Sequence, residues 1–199
     1  MKKMREIADF LFEVGMLKKT PRTGYQFLGS GGESVADHSF RTAVIGFAIA
    51  SMVTDCDRNQ VVLMCLFHDL AEARTGDHNY VNKRYVKKDE NRVMEDQLSG
   101  LEFKDEIKGI LEEYEACHSL ESHLAKDADQ LDLILELKQQ MDLGNPNAIE
   151  WIGYAVKRLS TSVAKSLAEK ILNTHSAEWW FNKDTDWWVN GGTQPSKGG

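Results

Sequence analysis

Apolar residues recur along this chain at steps of three and four, the spacing that lines one face of an α-helix. Ile7, Phe10, Leu11, Val14 and Leu17 make the first such face. Residues 18–33 interrupt it, and Pro21, Gly24, Gly29, Gly31 and Gly32 predict a loop there. Ser34, with Asp37 in the following turn, predicts an N-cap for a helix reaching about Met52. Asp57 and Gln60 have capping-box spacing. The run Val61-Val62-Leu63-Met64-Cys65-Leu66-Phe67 leads from them into a helix that should continue to Arg74 and stop at Gly76. Between Val81 and Glu115 charge density rises and apolar residues thin, which predicts one or two partly exposed helices. The stripe resumes after Ser119 with Leu124, Ala128, Leu131 and Leu135 and ends at Gly144-Asn145-Pro146. Residues 148–159 and 162–172 read as two further helices. With no strand-like alternation, internal repeat or linker, the expected fold class is all-α, a single helical domain over residues 1–183 followed by a flexible tail at 184–199.

At 199 residues the chain can bury a substantial core without disulfides or a structural metal, so any metal here should be functional. Cys56, Cys65 and Cys117 are widely spaced and odd in number, which fits a reducing compartment. Residues 42–54, an uncharged stretch, fall short of the roughly 20 residues a membrane helix needs. The N-terminus leads into an amphipathic pattern rather than a signal-peptide core. A cytoplasmic protein with no membrane partner is the expectation. A formal charge of −7 argues against long nucleic acid, whose backbone calls for a concentrated basic surface. A small phosphorylated ligand needs only one or two local cations. Trp179, Trp180, Trp187 and Trp188 cluster near the C-terminus and should pack onto the body or onto a second subunit.

His68-Asp69 ends the apolar run at 61–67, where a charge needs a partner or a metal. Glu72 follows four residues after His68 and three after Asp69, so on a helix the three polar heads occupy neighbouring parts of one face. His38 and Asp129 each stand at the edge of their own apolar patterns. Two imidazoles and two carboxylates form a mixed nitrogen and oxygen donor set that suits Mn, Fe, Co, Ni or Zn better than Ca or Mg. One divalent transition-metal ion of open identity is therefore the expected cofactor. Glu72 is placed to orient or deprotonate a water, or to protonate a leaving oxygen. Asp77, after the helix-ending Gly76, is placed to hold a sugar hydroxyl or water. His78, His118, His123 and His175 read as solvated or capping side chains.

Pro21-Arg22-Thr23-Gly24-Tyr25, Glu33-Ser34-Val35-Ala36-Asp37-His38, His68-Asp69-Leu70-Ala71-Glu72, Thr75-Gly76-Asp77 and Lys126-Asp127-Ala128-Asp129 together resemble the 5'-deoxynucleotidase branch of the HD-domain metal-dependent phosphohydrolases. The likeness runs from about residue 5 to residue 140. It implies an HD-type helical bundle, metal ligation by His38, His68, Asp69 and Asp129, and an acid/base role for Glu72. It also implies a site carboxylate at Asp77 with catalytic and substrate contacts, phosphate binding by Arg22, and substrate contact by Tyr25. The implied reaction is hydrolysis of the 5'-phosphate of (deoxy)nucleoside monophosphates, often in a homodimer. Tyr25 stands where family members commonly carry tryptophan, and His78-Asn79-Tyr80-Val81-Asn82-Lys83 replaces their apolar, proline-containing stretch. Both departures bear on base and sugar selectivity. A second enzymatic reading is an HD-type phosphodiesterase or nucleoside triphosphate hydrolase, disfavoured by the lack of an obvious second-metal histidine set. A third is a non-enzymatic helical interaction protein with a structural metal, which would need neither Glu72 nor Arg22.

Overall fold

The computed structural model describes residues 2–181 and Trp188; among these the chain forms helices and no strand, and an isolated antiparallel bridge between Pro21 and Ser34 closes the loop at 18–33. Helix α1 (Lys2–Val14) passes into a 3-10 turn at Gly15–Lys18 and buries Phe10 and Leu17. A single helical turn, α2 (Tyr25–Leu28), sits inside the loop and ends at Gly29, whose φ of +80° only glycine adopts without strain. Helix α3 (Val35–Ala50) opens on a complete capping box. Asp37 N–H donates to Ser34 Oγ at 3.1 Å, and Ser34 N–H donates to Asp37 Oδ2 at 3.0 Å. A cap of this kind is worth about 1 kcal/mol, and it fixes the phase in which His38 leaves the helix.

Helices α4 (Arg58–Phe67), α5 (Glu72–Thr75), α6 (Glu90–Gln97), α7 (Lys104–Ala116), α8 (Leu120–Asp142), α9 (Ala148–Val156) and α10 (Ser162–Leu172) complete the order. The charged stretch at 81–115 thus holds two helices, anchored by Met94, Ile107 and Ile110. At the start of α4, Asp57 Oδ1 accepts from the N–H groups of Asn59 and Gln60. The reciprocal half of the expected box comes from elsewhere: Asp57 N–H donates to Glu121 of α8, and Gln60 Nε2 donates to Glu113 of α7.

The helix expected to run unbroken to Arg74 stops at Phe67. The N–H groups of Leu70, Glu72, Ala73 and Arg74 reach carbonyls three residues back instead of four, and α5 then ends at Gly76 with φ +71°. In this tighter winding residues three apart eclipse, which aligns Asp69 with Glu72 on one side and Leu70 with Ala73 on the other. The physical reason lies in two apolar clusters. Met64 and Cys65 pack into the larger one with α3 and α8, whereas Leu70 and Ala71 pack into a smaller one with Phe10, Leu98 and Ile107. The chain turns between them at His68-Asp69. Val35 belongs to the smaller cluster and Ile45 to the larger, so His38 lies at the same seam.

Helix α8 lies against α3, α4, α7, α9 and α10. Its fully buried residues include Leu124, Ala128, Leu131 and Ile134, while Leu135 of the expected stripe is half-buried. Each large aliphatic side chain buried there contributes about 1.5–3 kcal/mol. Asp127, also buried, accepts from Ser160 N–H and Thr161 N–H at 2.8 Å each and ties α8 to the start of α10. Where α3 meets α4, a Cβ on Gly46 would lie 2.7 Å from Cys65 Sγ, so only glycine allows this approach.

Trp179 is 86% exposed, and Trp180, Phe181 and Trp188 gather on one another with ring centroids 5.1–5.6 Å apart, satisfying part of their apolar surface locally. Trp187 and the tail at 184–199, Trp188 excepted, lie outside the described residues. No described helix is long and apolar enough to cross a membrane.

Candidate active site

Three helical elements bring four expected residues to one point. His38 Nε2 lies 3.3 Å from His68 Nε2, 3.2 Å from Asp129 Oδ1 and 3.7 Å from Asp69 Oδ2, and His68 Nε2 lies 3.3 Å from Asp69 Oδ2. The outer nitrogens of the rings set their tautomers. His68 Nδ1 faces the Cys65 carbonyl at 2.9 Å, which can only accept, so Nδ1 carries the proton. His38 Nδ1 faces the buried Asp132 carboxylate at 2.7 Å. A hydrogen on Nδ1 leaves the Nε2 lone pair pointing inward on both rings. Two lone pairs and two carboxylates then converge on one small volume, an arrangement that calls for a cation.

The electrostatics carry the same requirement. Burial disfavours a charged His38, yet hydrogen bonds to Asp129 and Asp132 outweigh it and raise its pKa to about 10. Burial alone would raise Asp69 and Asp129, but the imidazoles beside them hold both carboxyls well below the usual range. His38, His68 and Asp69 form a donor group of metal-binding spacing, with Asp129 against His38. A second donor group, Glu33, His38 and Asp132, is already spanned by a cation: Arg41 donates to Asp132, Glu136 and Glu33. The residues of the first group, two imidazoles and a carboxylate, fit a divalent metal.

Arg22 reaches the cluster from the glycine-rich loop. Its Nη1 donates to Asp69 Oδ2 at 3.3 Å and lies 3.8 Å from Asp77 Oδ1. Asp77 Oδ2 accepts from Thr23 N–H at 2.5 Å and Thr23 Oγ1 at 3.0 Å, so the residue after Gly76 pins the loop that carries Arg22. Tyr25 donates from its hydroxyl to Glu136 at 2.8 Å while its ring lines the cavity. Gly31, at φ +80°, passes so close to this ring that a Cβ would lie 2.7 Å from it.

Glu72 is buried, and its Oε1 accepts from Lys88 Nζ at 2.9 Å. Its other oxygen, Oε2, is buried without a hydrogen-bond partner. Burial and the Asp69 carboxylate push its pKa up to about 7 against the pull of Lys88. Arg22, His68, Asp69, Glu72, Asp77 and Asp129 line one cavity of about 950 Å³, with His38 buried behind them, and its wall also includes His78, whose Nδ1 is buried and unpartnered. The expectation of a merely solvated or capping His78 therefore does not hold.

Several contributors escaped sequence reasoning. Asp132 carries a legible signal, a carboxylate three residues after Asp129 in the middle of an apolar helical face. Arg41, three residues after His38, has the same spacing on α3. Lys88 has none, because it sits in a charged stretch without periodicity.

Comparison with known proteins agrees with this geometry. The HD domain profile matches residues 14–172. The chain is 34% identical over 145 residues to 5'-deoxynucleotidase HDDC2 of Homo sapiens, covering 70% of each chain, and 32% identical over 147 residues to 5'-deoxynucleotidase HDDC2 of Bos taurus, covering 71% of each. A solved structure described as a conserved hypothetical protein from Pyrococcus furiosus superposes with a TM-score of 0.73 at 28% identity, covering 84% of this chain and 99% of that one. The seam between two helical clusters, the convergent His and Asp side chains and these likenesses together mean that the chain belongs to the HD-domain family of metal-dependent phosphohydrolases.

Proposed function

We propose that this chain is a phosphomonoesterase that removes the 5'-phosphate of deoxynucleoside monophosphates, with one divalent transition-metal ion held by His38, His68, Asp69 and Asp129. The observation that carries the reading is the meeting, at one cavity, of His68, Asp69 and Asp129, backed by the buried His38, with a guanidinium, Arg22, and a buried carboxyl, Glu72. The relatives named as 5'-deoxynucleotidases support the substrate class. When bound, the metal supplies Lewis acidity to water and to a phosphoryl oxygen.

The chain's own residues do the rest. Arg22 presents a planar fork to two phosphate oxygens, and Asp77, through Thr23, keeps its loop in place. Glu72, with a pKa near neutrality, takes a proton from the attacking water and returns one to the departing 5'-oxygen. Lys88 fixes the carboxyl by one oxygen and leaves Oε2 for that work. Asp132 holds the His38 ring, and Tyr25, bonded to Glu136, forms the wall beside the sugar.

A homodimer belongs to this reading. Phe40, Val44 and Phe47 stand 69%, 53% and 52% exposed at helical spacing on α3, a stripe that a second copy would cover. Light scattering should give twice the chain mass, and Phe40→Glu should return a monomer. Free Cys56, Cys65 and Cys117 support a cytoplasmic setting. The activity is tested with metal-stripped protein reloaded with Mn, Co, Fe, Ni or Zn singly. Phosphate release should favour deoxynucleoside 5'-monophosphates over ribonucleotides, and turnover confined to triphosphates or cyclic dinucleotides would overturn the reading.

A further inference from the structure

The cavity extends beyond the cluster to a mouth where Tyr80, on the segment between α5 and α6, faces Arg158, just past α9. The Arg158 guanidinium carbon lies 5.3 Å from the Tyr80 ring centroid. Arg158 Nη1 donates to Gln130 Oε1 at 3.2 Å, and Gln130 Nε2 donates to Asp129 Oδ2 at 2.9 Å. One carboxamide therefore links a carboxylate of the cluster to the guanidinium. Tyr80 is 59% exposed although it lines the cavity, so a flat solute entering there would take apolar ring surface out of water.

We propose that Tyr80, braced by Arg158, is the platform on which the base of the nucleotide stacks, and that Tyr80 determines specificity for a nucleotide over a base-free sugar phosphate. The proposal rests on the nucleotide reading above. An aromatic ring stacked with a guanidinium holds a planar, electron-rich heterocycle through its face. Every base has such a face, so the platform selects for the presence of a base and tolerates its identity.

The test compares kcat/KM for deoxyadenosine 5'-monophosphate and thymidine 5'-monophosphate with that for 2-deoxyribose 5-phosphate. In Tyr80→Ala the ratio of nucleotide to sugar phosphate should fall about tenfold for both bases, since base–aromatic stacking has that order of strength. Tyr80→Phe, which keeps the ring, should retain the wild-type ratio. An unchanged ratio in Tyr80→Ala overturns the platform, as does a loss seen with only one of the two bases. Wild-type protein that releases phosphate from the sugar phosphate and the nucleotides equally well overturns the platform while sparing the phosphatase reading. Wild-type protein inert towards all three with every metal overturns both.

Discussion

Glu72 sits at the boundary between structure and chemistry. One oxygen is tied to Lys88, and the other is buried with no partner, a cost that a stable fold tolerates where the group has work to do. Glu72→Gln should keep the metal content of wild type and lose about 10²–10⁴ in kcat, the usual contribution of a general acid or base. Metal analysis and phosphate release on one sample check both halves, and near-normal turnover would transfer the role to another group. Asp132 acts one bond further out. Its carboxylate orders the His38 ring, so Asp132→Asn should weaken metal binding about 10–100-fold in a chelator competition while leaving helix content unchanged. The clustered His and Asp residues are legible because they punctuate apolar patterns: His38 after the cap at Ser34, His68-Asp69 at the end of the run at 61–67. Lys88 and Gln130 are not, because Glu72 lies 16 residues from Lys88 and Arg158 lies 28 from Gln130, and neither breaks a pattern of its own.

Among the elements, α3 began where its capping residues said it would, since Ser34 and Asp37 settle the start within four residues. The break after Phe67 was hidden because apolar residues continue through Leu70 and Ala71, and periodicity alone does not report that they pack into a different cluster from Met64 and Cys65. That choice is tertiary. The approach of α3 to α4 is likewise set by a contact between distant positions, Gly46 against Cys65 and Val61. Alanine at position 46 would recover about 1 kcal/mol of helix propensity and blur the outcome. Gly46→Val adds bulk without that gain and should destabilise the protein by about 1–3 kcal/mol, read as a drop of about 2–10 °C in Tm. An unchanged Tm would mean that the two helices separate easily and that the seam holding His38 and His68 is soft.

For the molecule as a whole, two apolar clusters meet along one seam, and the charged groups the fold leaves inside gather there. Arg41 donates to all three carboxylates of the outer acidic group, Glu33, Asp132 and Glu136; the inner group brings His38, His68 and Asp69 together at metal-binding spacing, with Asp129 against His38. Asp129 decides this most cleanly, because it lies on α8, far along the chain from the His-Asp pair, and removing it leaves that motif intact. The decisive measurement is phosphate release from a deoxynucleoside 5'-monophosphate by metal-stripped protein as a single divalent metal is titrated in, for wild type and for Asp129→Ala. The account predicts that wild-type activity rises from zero to a plateau at one metal per chain and that Asp129→Ala neither retains the metal nor turns over. Full wild-type activity without metal, or sustained turnover by Asp129→Ala, would contradict it.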